Sequence, residues 1–330
     1  MSDPREIFLH GLGWDSAHAT ALAGDASSRR YDKLEMPDGQ SAILMLNGGS
    51  ADDIERFVTI TNHLRDHGFS APKILGAAAS DGLLLLENLG DALFAKLIAR
   101  DPSLETALYE AATDALVTLH SVTPPPGLTV LTPDEMVRMT EITFTHYAGV
   151  EMPVDLALGL GEAFRSLSDS SRCLALRDFH AENLIWMADR EGLGRVGLLD
   201  YQDAVLAHPA YDLMSLLQDI RRDVTPAIKT AMIDRFTSAL GFDPVEFLKD
   251  ATLISAQRNL RILGVFARLS LTLGKPGYVE LIPRVWTRLG EDLSHPAHAD
   301  LHQALFDILP EPTDDFLDTL RQRSNPCPAQ

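Results

Sequence analysis

Within residues 1–90, apolar and polar side chains alternate in short runs, a pattern typical of half-buried β-strands. Two such runs flank residues 24–28, and others follow at 41–46, 73–79 and 82–88. The Pro37-Asp38-Gly39 sequence predicts a tight turn before the 41–46 run. Helical spacing appears at residues 1–18 and 51–67. The pattern therefore predicts a β-meander with one main helix.

Beyond residue 90 the apolar positions recur mainly at helical spacing. The exception is 172–204, where the runs CLAL and VGLLDY lie around a Glu-Gly-Leu-Gly turn and predict one β-hairpin. Only the tail after Pro310 is predicted to be weakly structured. We expect an α+β, bilobal fold, with a small antiparallel-sheet lobe at 1–88 and a larger, mostly helical lobe at 89–330. The predicted helices of the second lobe are 104–122, 133–147, 155–168, 209–222, 226–240, 244–273 and 278–293.

Charge and cysteine content exclude several classes of protein. Lys and Arg number 28 against 47 Asp and Glu, a formal net charge of -19, which disfavours nucleic acid and anionic membranes as partners. Two distant cysteines indicate neither a disulfide framework nor a zinc site. The N-terminal segment lacks the pattern of a signal peptide, and the most apolar run, 83–86, is too short to span a bilayer. We expect a cytoplasmic protein, monomeric or dimeric.

The segments LRDFHAENLIW and GLLDYQD carry the candidate chemistry. Asp178 and Asn183 lie five residues apart, and Asp200 ends the next apolar run. Phosphoryl transfer from ATP requires a group that accepts the proton of the attacking hydroxyl, and hard oxygen ligands for Mg²⁺. Asp178 fits the base, whereas Asn183 and Asp200 fit the metal ligands. His180 either orients Asp178 or fills the interior of the loop. The alternative for Asp178, Asn183 and Asp200 is a structural role: hydrogen bonds within a turn for the first two and capping of a strand for the third.

This arrangement resembles the aminoglycoside phosphotransferase family, a protein-kinase-like group with an H-x-D-x-H-x-x-N loop and a following metal strand. Leu176 stands where the leading His is expected, and the downstream HPAYDLMSLL segment, including Asp212, also matches. The resemblance implies a protein-kinase-like fold and the use of ATP and Mg²⁺. It also implies that backbone groups of Glu87 and Leu89 meet adenine at the inter-lobe hinge.

A loop at residues 24–28 is predicted to cover the nucleotide phosphates, with Gly24, Asp25, Ser27 and Ser28 as its contributors. Arg29 and Arg30 follow, and their side chains alternate in direction. The strand SAILMLN lacks the lysine that binds the α- and β-phosphates in kinases. Glu55 on the next helix would normally form an ion pair with that lysine. Arg29, Arg30 or Lys33 replaces it, or the site is impaired; Arg30 is our candidate.

Three segments resemble those of anomeric N-acetylmuramate/N-acetylglucosamine kinases: GDASSRRY, LLDYQDAVLAHPAYDLMSLLQD and QRNLRILGVFARLSLTLGKPGYVELIPRVWTRL. In the first of them, Ser28 stands where Phe is expected. The resemblance implies phosphorylation of the C1 hydroxyl of an amino sugar. Arg258, Arg261 and Arg268 fall within roughly an 80° arc of one helix, where they could bind a substrate carboxylate or form salt bridges. Asp203 could bind a sugar hydroxyl or cap a turn.

Two other functions remain open from the sequence. One is a kinase for aminoglycosides or another small alcohol, which the acidic composition favours slightly. The other is a non-catalytic nucleotide-binding regulator, which the missing strand lysine and the missing loop His would allow.

Overall fold

The computed structural model describes residues 3–22, 29–48, 51–168 and 172–322. The chain divides into two compact units, the first formed by Met1–Gly127 with Leu176–Ala204 and the second by Leu128–Ala175 with Val205–Gln330. The first unit thus combines the strand-rich segment with the segment carrying Asp178, Asn183 and Asp200. The boundary predicted after residue 88 stays a prediction; these compact units include residues 89–127 with the strands.

The described residues form nine strands and twelve α-helices. The strands are β1 His18–Ala21, β2 Arg30–Glu35, β3 Ser41–Leu46, β4 Ile74–Ala78, β5 Leu83–Glu87, β6 Cys173–Ala175, β7 Leu184–Trp186, β8 Val196–Leu198 and β9 Val205–Ala207. The helices are α1 Pro4–Gly11, α2 Ala51–Asp66, α3 Phe94–Arg100, α4 Glu105–Ser121, α5 Pro133–Ile142, α6 Val154–Arg165, α7 Ala210–Leu217, α8 Pro226–Leu240, α9 Pro244–Leu273, α10 Ile282–Leu293, α11 Ala299–Phe306 and α12 Asp314–Gln322. None of the described helices is long and apolar enough to cross a membrane.

The first unit is built on a five-stranded antiparallel sheet in the order β1-β2-β3-β5-β4. The predicted turn at Pro37-Asp38-Gly39 is confirmed: Gly39 has a φ of 90°, and Asp38 Oδ1 accepts from the Gln40 N–H at 2.9 Å. The predicted first helix is shorter than expected, because the chain turns at Gly13, with a φ of 77°, and then enters β1.

The two faces of this sheet have different environments. On one, which we call the α1 face, Leu34, Ala42, Leu44 and Leu85 are fully buried, and partly buried side chains of the N-terminal segment pack against them (Phe8, Leu9, Trp14 and Ala17). Arg5 of α1 also pairs with Asp32 at 2.8 Å. The opposite face, the Tyr31 face, carries Tyr31, Ile43 and Met45, since side chains alternate along a strand and paired residues share a face.

The hairpin was predicted with the wrong partner. β7 pairs with β8, with Leu184 opposite Leu198, whereas β6, the CLAL run, pairs with β9 in the second unit. The Gly192–Gly194 turn joins β7 directly to β8, so the nearest apolar runs pair across it. CLAL is separated from that turn by the loop containing Asp178 and Asn183, and so it pairs elsewhere.

The second unit is mainly helical, and its longest element is α9. The predicted bounds of this helix, 244–273, are confirmed. Asp243 caps its start by accepting from the Val245 and Glu246 N–H groups, and Gly274, with a φ of 62°, ends it. Within it, a Cβ on Gly264 would lie 2.5 Å from the Thr143 nitrogen, so glycine permits this close helix crossing.

The chain end was predicted to be weakly structured, and this is wrong for residues 314–322. They form α12, in which Leu317 and Leu320 are buried. Ser270 Oγ of α9 donates to the Leu320 carbonyl at 3.3 Å. The sequence signal was weak because the apolar residues of this segment are few, namely Phe316, Leu317 and Leu320, and the rest of the segment is polar.

A buried polar network joins α9 and α10 to the residue that follows α7. Asp292 is 2% exposed and accepts from Asn259 Nδ2 at 2.8 Å and from Gln218 Nε2 at 3.2 Å. Lys229 Nζ donates to Gln218 Oε1 at 3.0 Å. Burial raises the pKa of Asp292 to about 7, although hydrogen bonds from Ser255 and Asn259 and the charge of Lys229 oppose the rise.

This raised pKa makes the stability of the protein depend on pH. Between about pH 4 and the folded pKa of about 7, folded Asp292 binds more protons than the unfolded chain, so the free energy of unfolding falls as pH rises. Between pH 5 and pH 7 we expect this loss to reach about 2–3 kcal/mol at most. D292N should lack this component, and D300N, at an exposed aspartate of α11, should retain it. Urea unfolding of the three proteins at pH 5, 7 and 8 measures it, and parallel pH profiles for wild type and D292N would contradict the assignment.

Candidate active site

The loop from Asp178 to Asn183 is closed by its own hydrogen bonds. Asn183 Nδ2 donates to the Asp178 carbonyl at 2.9 Å, and the Asn183 N–H donates to the His180 carbonyl at 2.8 Å. The first contact fixes the amide and leaves its Oδ1 as an acceptor. Asp178 is half-buried, and its backbone rather than its carboxylate is used to close the loop. The carboxylate is therefore available for a ligand.

Asp200 lies next to this loop because β8 brings it there. The Leu199 N–H donates to the Asn183 carbonyl at 3.0 Å. One predicted metal ligand, Asn183, therefore takes part in this bond, and the other, Asp200, directly follows it in the chain. Gln202 Nε2 donates to Asp200 Oδ1 at 2.7 Å and orients the carboxylate. The side chain of Asp200 is accessible to solvent, but desolvation by the surrounding protein raises its pKa. The Gln202 hydrogen bond opposes this rise, and the charges of Asp178 and Asp203 add to the rise.

Two backbone conformations at this site are unusual. Arg177 has a φ of 74° and Asp200 a φ of 56°, and among the described non-glycine residues only these two have positive φ. Such conformations cost free energy and concentrate at functional sites. Arg177 Nη1 also contacts the Asp203 carbonyl at 3.4 Å, which links the two strained segments.

The residue after Asp200 is anchored to α2. Tyr201 is fully buried, its ring stacks on Phe57 with centroids 5.2 Å apart, and its hydroxyl lies 2.8 Å from Thr61 Oγ1. Burial raises the pKa of Tyr201, so the phenol stays protonated and can donate. The helix of the sheet region thereby fixes the position of the segment that presents Asp200.

The Tyr31 face also contributes to this region. Burial raises the pKa of Tyr31 to about 12, the charges of Asp200 and Asp203 add to the rise, and the charge of Arg29 opposes it. Arg29 also lowers the pKa of Asp200. One end of β2 is thus electrostatically coupled to Asp200, one of the two candidate metal ligands.

The hinge residues are fastened to the β7–β8 hairpin. The Glu87 carboxylate accepts from Arg190 Nη2 at 2.7 Å and from the Lys73 N–H at 2.9 Å. The Glu87 N–H donates to the Lys73 carbonyl at 2.8 Å. In the described part of the chain, the Leu89 N–H donates no hydrogen bond, and the residue is buried. The adenine contacts predicted for Glu87 and Leu89 stay predictions.

The predicted substrate arginines lie in the second unit. Arg258 is buried; its guanidinium donates to Ser215 Oγ at 2.6 Å and lies 5.3 Å from the centre of the Tyr211 ring. Arg261 is half-buried and Arg268 is exposed, so the three have different environments despite their common arc. Ser215 and Tyr211 hold the Arg258 guanidinium in one orientation.

Some predicted residues are not placed in the site by the structure. Gly24, Asp25, Ser27 and Ser28 lie outside the described residues. Arg30 is exposed, and its cross-strand partner Leu46 packs on the α1 face. His180 Nε2 lies 3.4 Å from Asn183 Nδ2, so the ring lies within the loop beside the amide.

The donor set fits a magnesium ion that takes its other ligands from phosphates and water. The described residues hold no group of three or more His, Cys, Asp or Glu side chains arranged around one metal position. One carboxylate and one amide oxygen are instead the few hard ligands typical of Mg²⁺ at a nucleotide site. The acidic neighbours that raise the pKa of Asp200 would also be stabilised by a cation there.

Sequence reasoning missed three residues of this region: Tyr31, Thr61 and Gln202. Gln202 could have been identified from its position two residues after Asp200, the candidate metal ligand. Tyr31 and Thr61 carried no local signal, because Thr61 contacts Tyr201 and Tyr31 is influenced by the charges of Asp200 and Asp203, all of them far away in the chain.

Comparisons with known proteins identify the family of the chain. A model of the phosphotransferase enzyme family (APH) matches residues 18–248. The N-acetylmuramate/N-acetylglucosamine kinase of Caulobacter vibrioides is 36% identical, over 93% of this chain and 97% of that protein. The Pseudomonas aeruginosa kinase of the same name is 26% identical, over 86% and 87%.

Solved structures show the same fold. A choline/ethanolamine kinase family protein from Mesorhizobium loti superposes with a TM-score of 0.62 at 14% identity, covering 92% of each chain. The streptomycin–ATP complex of APH(2")-IIa gives 0.55 at 13% identity, covering 80% of this chain and 91% of the other. The predicted α+β, protein-kinase-like fold is confirmed. The chain belongs to the phosphotransferase enzyme family (APH).

Proposed function

We propose that the chain is an ATP-dependent amino-sugar kinase that phosphorylates the anomeric C1 hydroxyl of N-acetylmuramate or N-acetylglucosamine. The observation that carries the proposal is the 36% identity to the Caulobacter vibrioides kinase over 93% of this chain. The arrangement of Asp178, Asn183 and Asp200 in one unit supports phosphoryl transfer as the reaction. An ATP-consuming kinase also fits the cytoplasmic location that the sequence predicts.

In this reaction Asp178 is the base. The sugar C1 oxygen attacks the γ-phosphorus, the bond from that phosphorus to the β–γ bridging oxygen breaks, and ADP leaves. The hydroxyl proton passes to the Asp178 carboxylate, which is available because Asn183 binds the carbonyl of Asp178 instead. His180 is within the same loop, where it supports Asn183 and through it Asp178.

Asn183 Oδ1 and the Asp200 carboxylate would hold Mg²⁺, which when bound neutralises charge on the phosphates. Gln202 orients Asp200, and Tyr201 holds the segment on α2, so both ligands are presented by a fixed backbone. The Glu87 carbonyl and the Leu89 N–H would meet adenine, and the segment with Gly24, Asp25, Ser27 and Ser28 would cover the phosphates.

Sugar recognition is assigned to Asp203, Arg258, Arg261 and Arg268. Arg258 is the strongest of these candidates, since Ser215 and Tyr211 hold its guanidinium in place. A fixed guanidinium suits a planar carboxylate such as that of a lactyl group. N-acetylglucosamine lacks that carboxylate, so Arg258 would favour N-acetylmuramate.

The product identifies the function. The protein is incubated with ATP, Mg²⁺ and either N-acetylmuramate or N-acetylglucosamine, and the product is examined by ³¹P NMR. We expect a sugar 1-phosphate, whose anomeric phosphorus is distinguishable from a phosphate elsewhere on the ring. Turnover of an aminoglycoside but of neither amino sugar would replace this proposal with the aminoglycoside kinase, which the net charge of -19 favours slightly. The absence of Mg²⁺-dependent turnover on any hydroxyl substrate would leave the nucleotide-binding regulator.

A further inference from the structure

The missing strand lysine raises the question of what holds the α- and β-phosphates. In kinases this lysine lies on the third strand and forms an ion pair with a glutamate of the following helix. Here the Tyr31 face of β3 carries Ser41, Ile43 and Met45. Met45 is 1% exposed, and it pairs with Tyr31 on one side and Leu84 on the other.

The glutamate half of that ion pair is absent as well. Glu55, which the sequence offers as the partner, is exposed on α2, whereas the buried side of this helix is formed by Ile54, Phe57, Ile60, Thr61 and Leu64. The usual lysine–glutamate pair has therefore been replaced by apolar packing on both elements.

The neighbouring strand supplies a cation at the same place. Arg29 immediately precedes β2, and continuing the strand alternation one residue back puts it on the same side as Tyr31, which stands opposite Met45. Its charge acts on Tyr31 and on Asp200, the candidate metal ligand. It is half-buried, as expected of a side chain facing a ligand site rather than open solvent.

The other two cations of this strand are placed elsewhere. Arg30 is exposed, and Leu46, its partner in the sheet, packs on the α1 face. Lys33 is paired with Glu35 at 2.9 Å, and it stands opposite Ile43, toward the hinge end of the sheet. Neither has the combination of direction and coupling to Asp200 that Arg29 has.

We propose that Arg29 binds the α- and β-phosphates of ATP in place of the strand lysine, so that the phosphate-binding cation has moved from β3 to the start of β2. This inference rests on the proposed use of ATP. A guanidinium is always charged and can bind two phosphate oxygens at once, so one arginine can supply the phosphate contact of the lysine. The same assignment removes the main reason for considering the chain a non-catalytic regulator.

Nucleotide binding tests Arg29 separately from catalysis. Affinities for Mg·ADP and for adenosine are measured by isothermal titration calorimetry for wild type, R29A, R29K and R30A, with R56A, at an exposed position of α2, as the control. We expect R29A to weaken Mg·ADP binding by about 10- to 150-fold, which corresponds to a lost hydrogen bond between charged groups. Adenosine binding should stay unchanged, R29K should be intermediate, and R56A should match wild type.

Three results would overturn the proposal: unchanged Mg·ADP affinity in R29A, an equal loss of ADP and adenosine affinity, or a larger ADP loss in R30A than in R29A. Unchanged adenosine binding also reports that R29A is folded. If the wild-type protein binds Mg·ADP but phosphorylates no sugar, the proposed amino-sugar kinase function is refuted. The role of Arg29 is then decided by the binding data alone.

Discussion

D178N should lower kcat by about 10²- to 10⁴-fold, the range typical for loss of a general base, while the KM values for ATP and sugar change little. The amide cannot accept the hydroxyl proton. The fold should tolerate it, because the loop is closed through the Asp178 carbonyl and not through its carboxylate. Steady-state kinetics with saturating Mg²⁺ measure both parameters.

The matched control for this substitution is D189N. Asp189 is exposed between β7 and β8, so its replacement should leave kcat unchanged. If D178N kept more than about a tenth of the wild-type kcat, Asp178 would not be the base. Its charge would then act only on Asp200.

D200N should be the second damaging substitution, with kcat lower by about 10³-fold or more at ordinary Mg²⁺ concentrations. An amide keeps the shape of the side chain but loses the charge that binds the metal. Asparagine also tolerates the φ of 56° at this position, so backbone strain does not confuse the result. Activity measured over a series of Mg²⁺ concentrations should recover in part at high metal.

Thermal unfolding separates this effect from damage to the fold. Desolvation by the surrounding protein and the charges of Asp178 and Asp203 raise the pKa of Asp200 in spite of the Gln202 hydrogen bond and the charge of Arg29, so D200N without metal should melt no lower than wild type. A protein with lost activity and unchanged melting temperature is the expected result. A lower melting temperature would assign Asp200 a structural role, and unchanged Mg²⁺ dependence would remove it from the metal site.

The features that sequence predicted well are local in the chain. The loop with Asp178 and Asn183 is closed by bonds spanning at most five residues, so its spacing carried the information. The bounds of α9 were equally readable, because Asp243 and Gly274 mark its two ends.

The features that sequence missed depend on distant pairing. β6 pairs with β9 across about 30 residues, and nothing within the CLAL run indicates that partner. Thr61 and Tyr201 lie 140 residues apart, and the charge of Asp200 acts on Tyr31 from another part of the chain. The choice between Arg29 and Arg30 required the strand register, since sequence shows only that the two alternate.

The positive φ values of Arg177 and Asp200 have a consequence for engineering this protein for heat resistance. Each costs about 1 kcal/mol that glycine would recover, less the entropy that glycine adds to the unfolded chain. Glycine at 200 would remove the metal ligand, and at 177 it would remove the side chain that reaches the Asp203 carbonyl. Selection for thermostability alone would thus favour glycine at these two positions, at the expense of a proposed metal ligand at 200 and of the contact with Asp203 at 177.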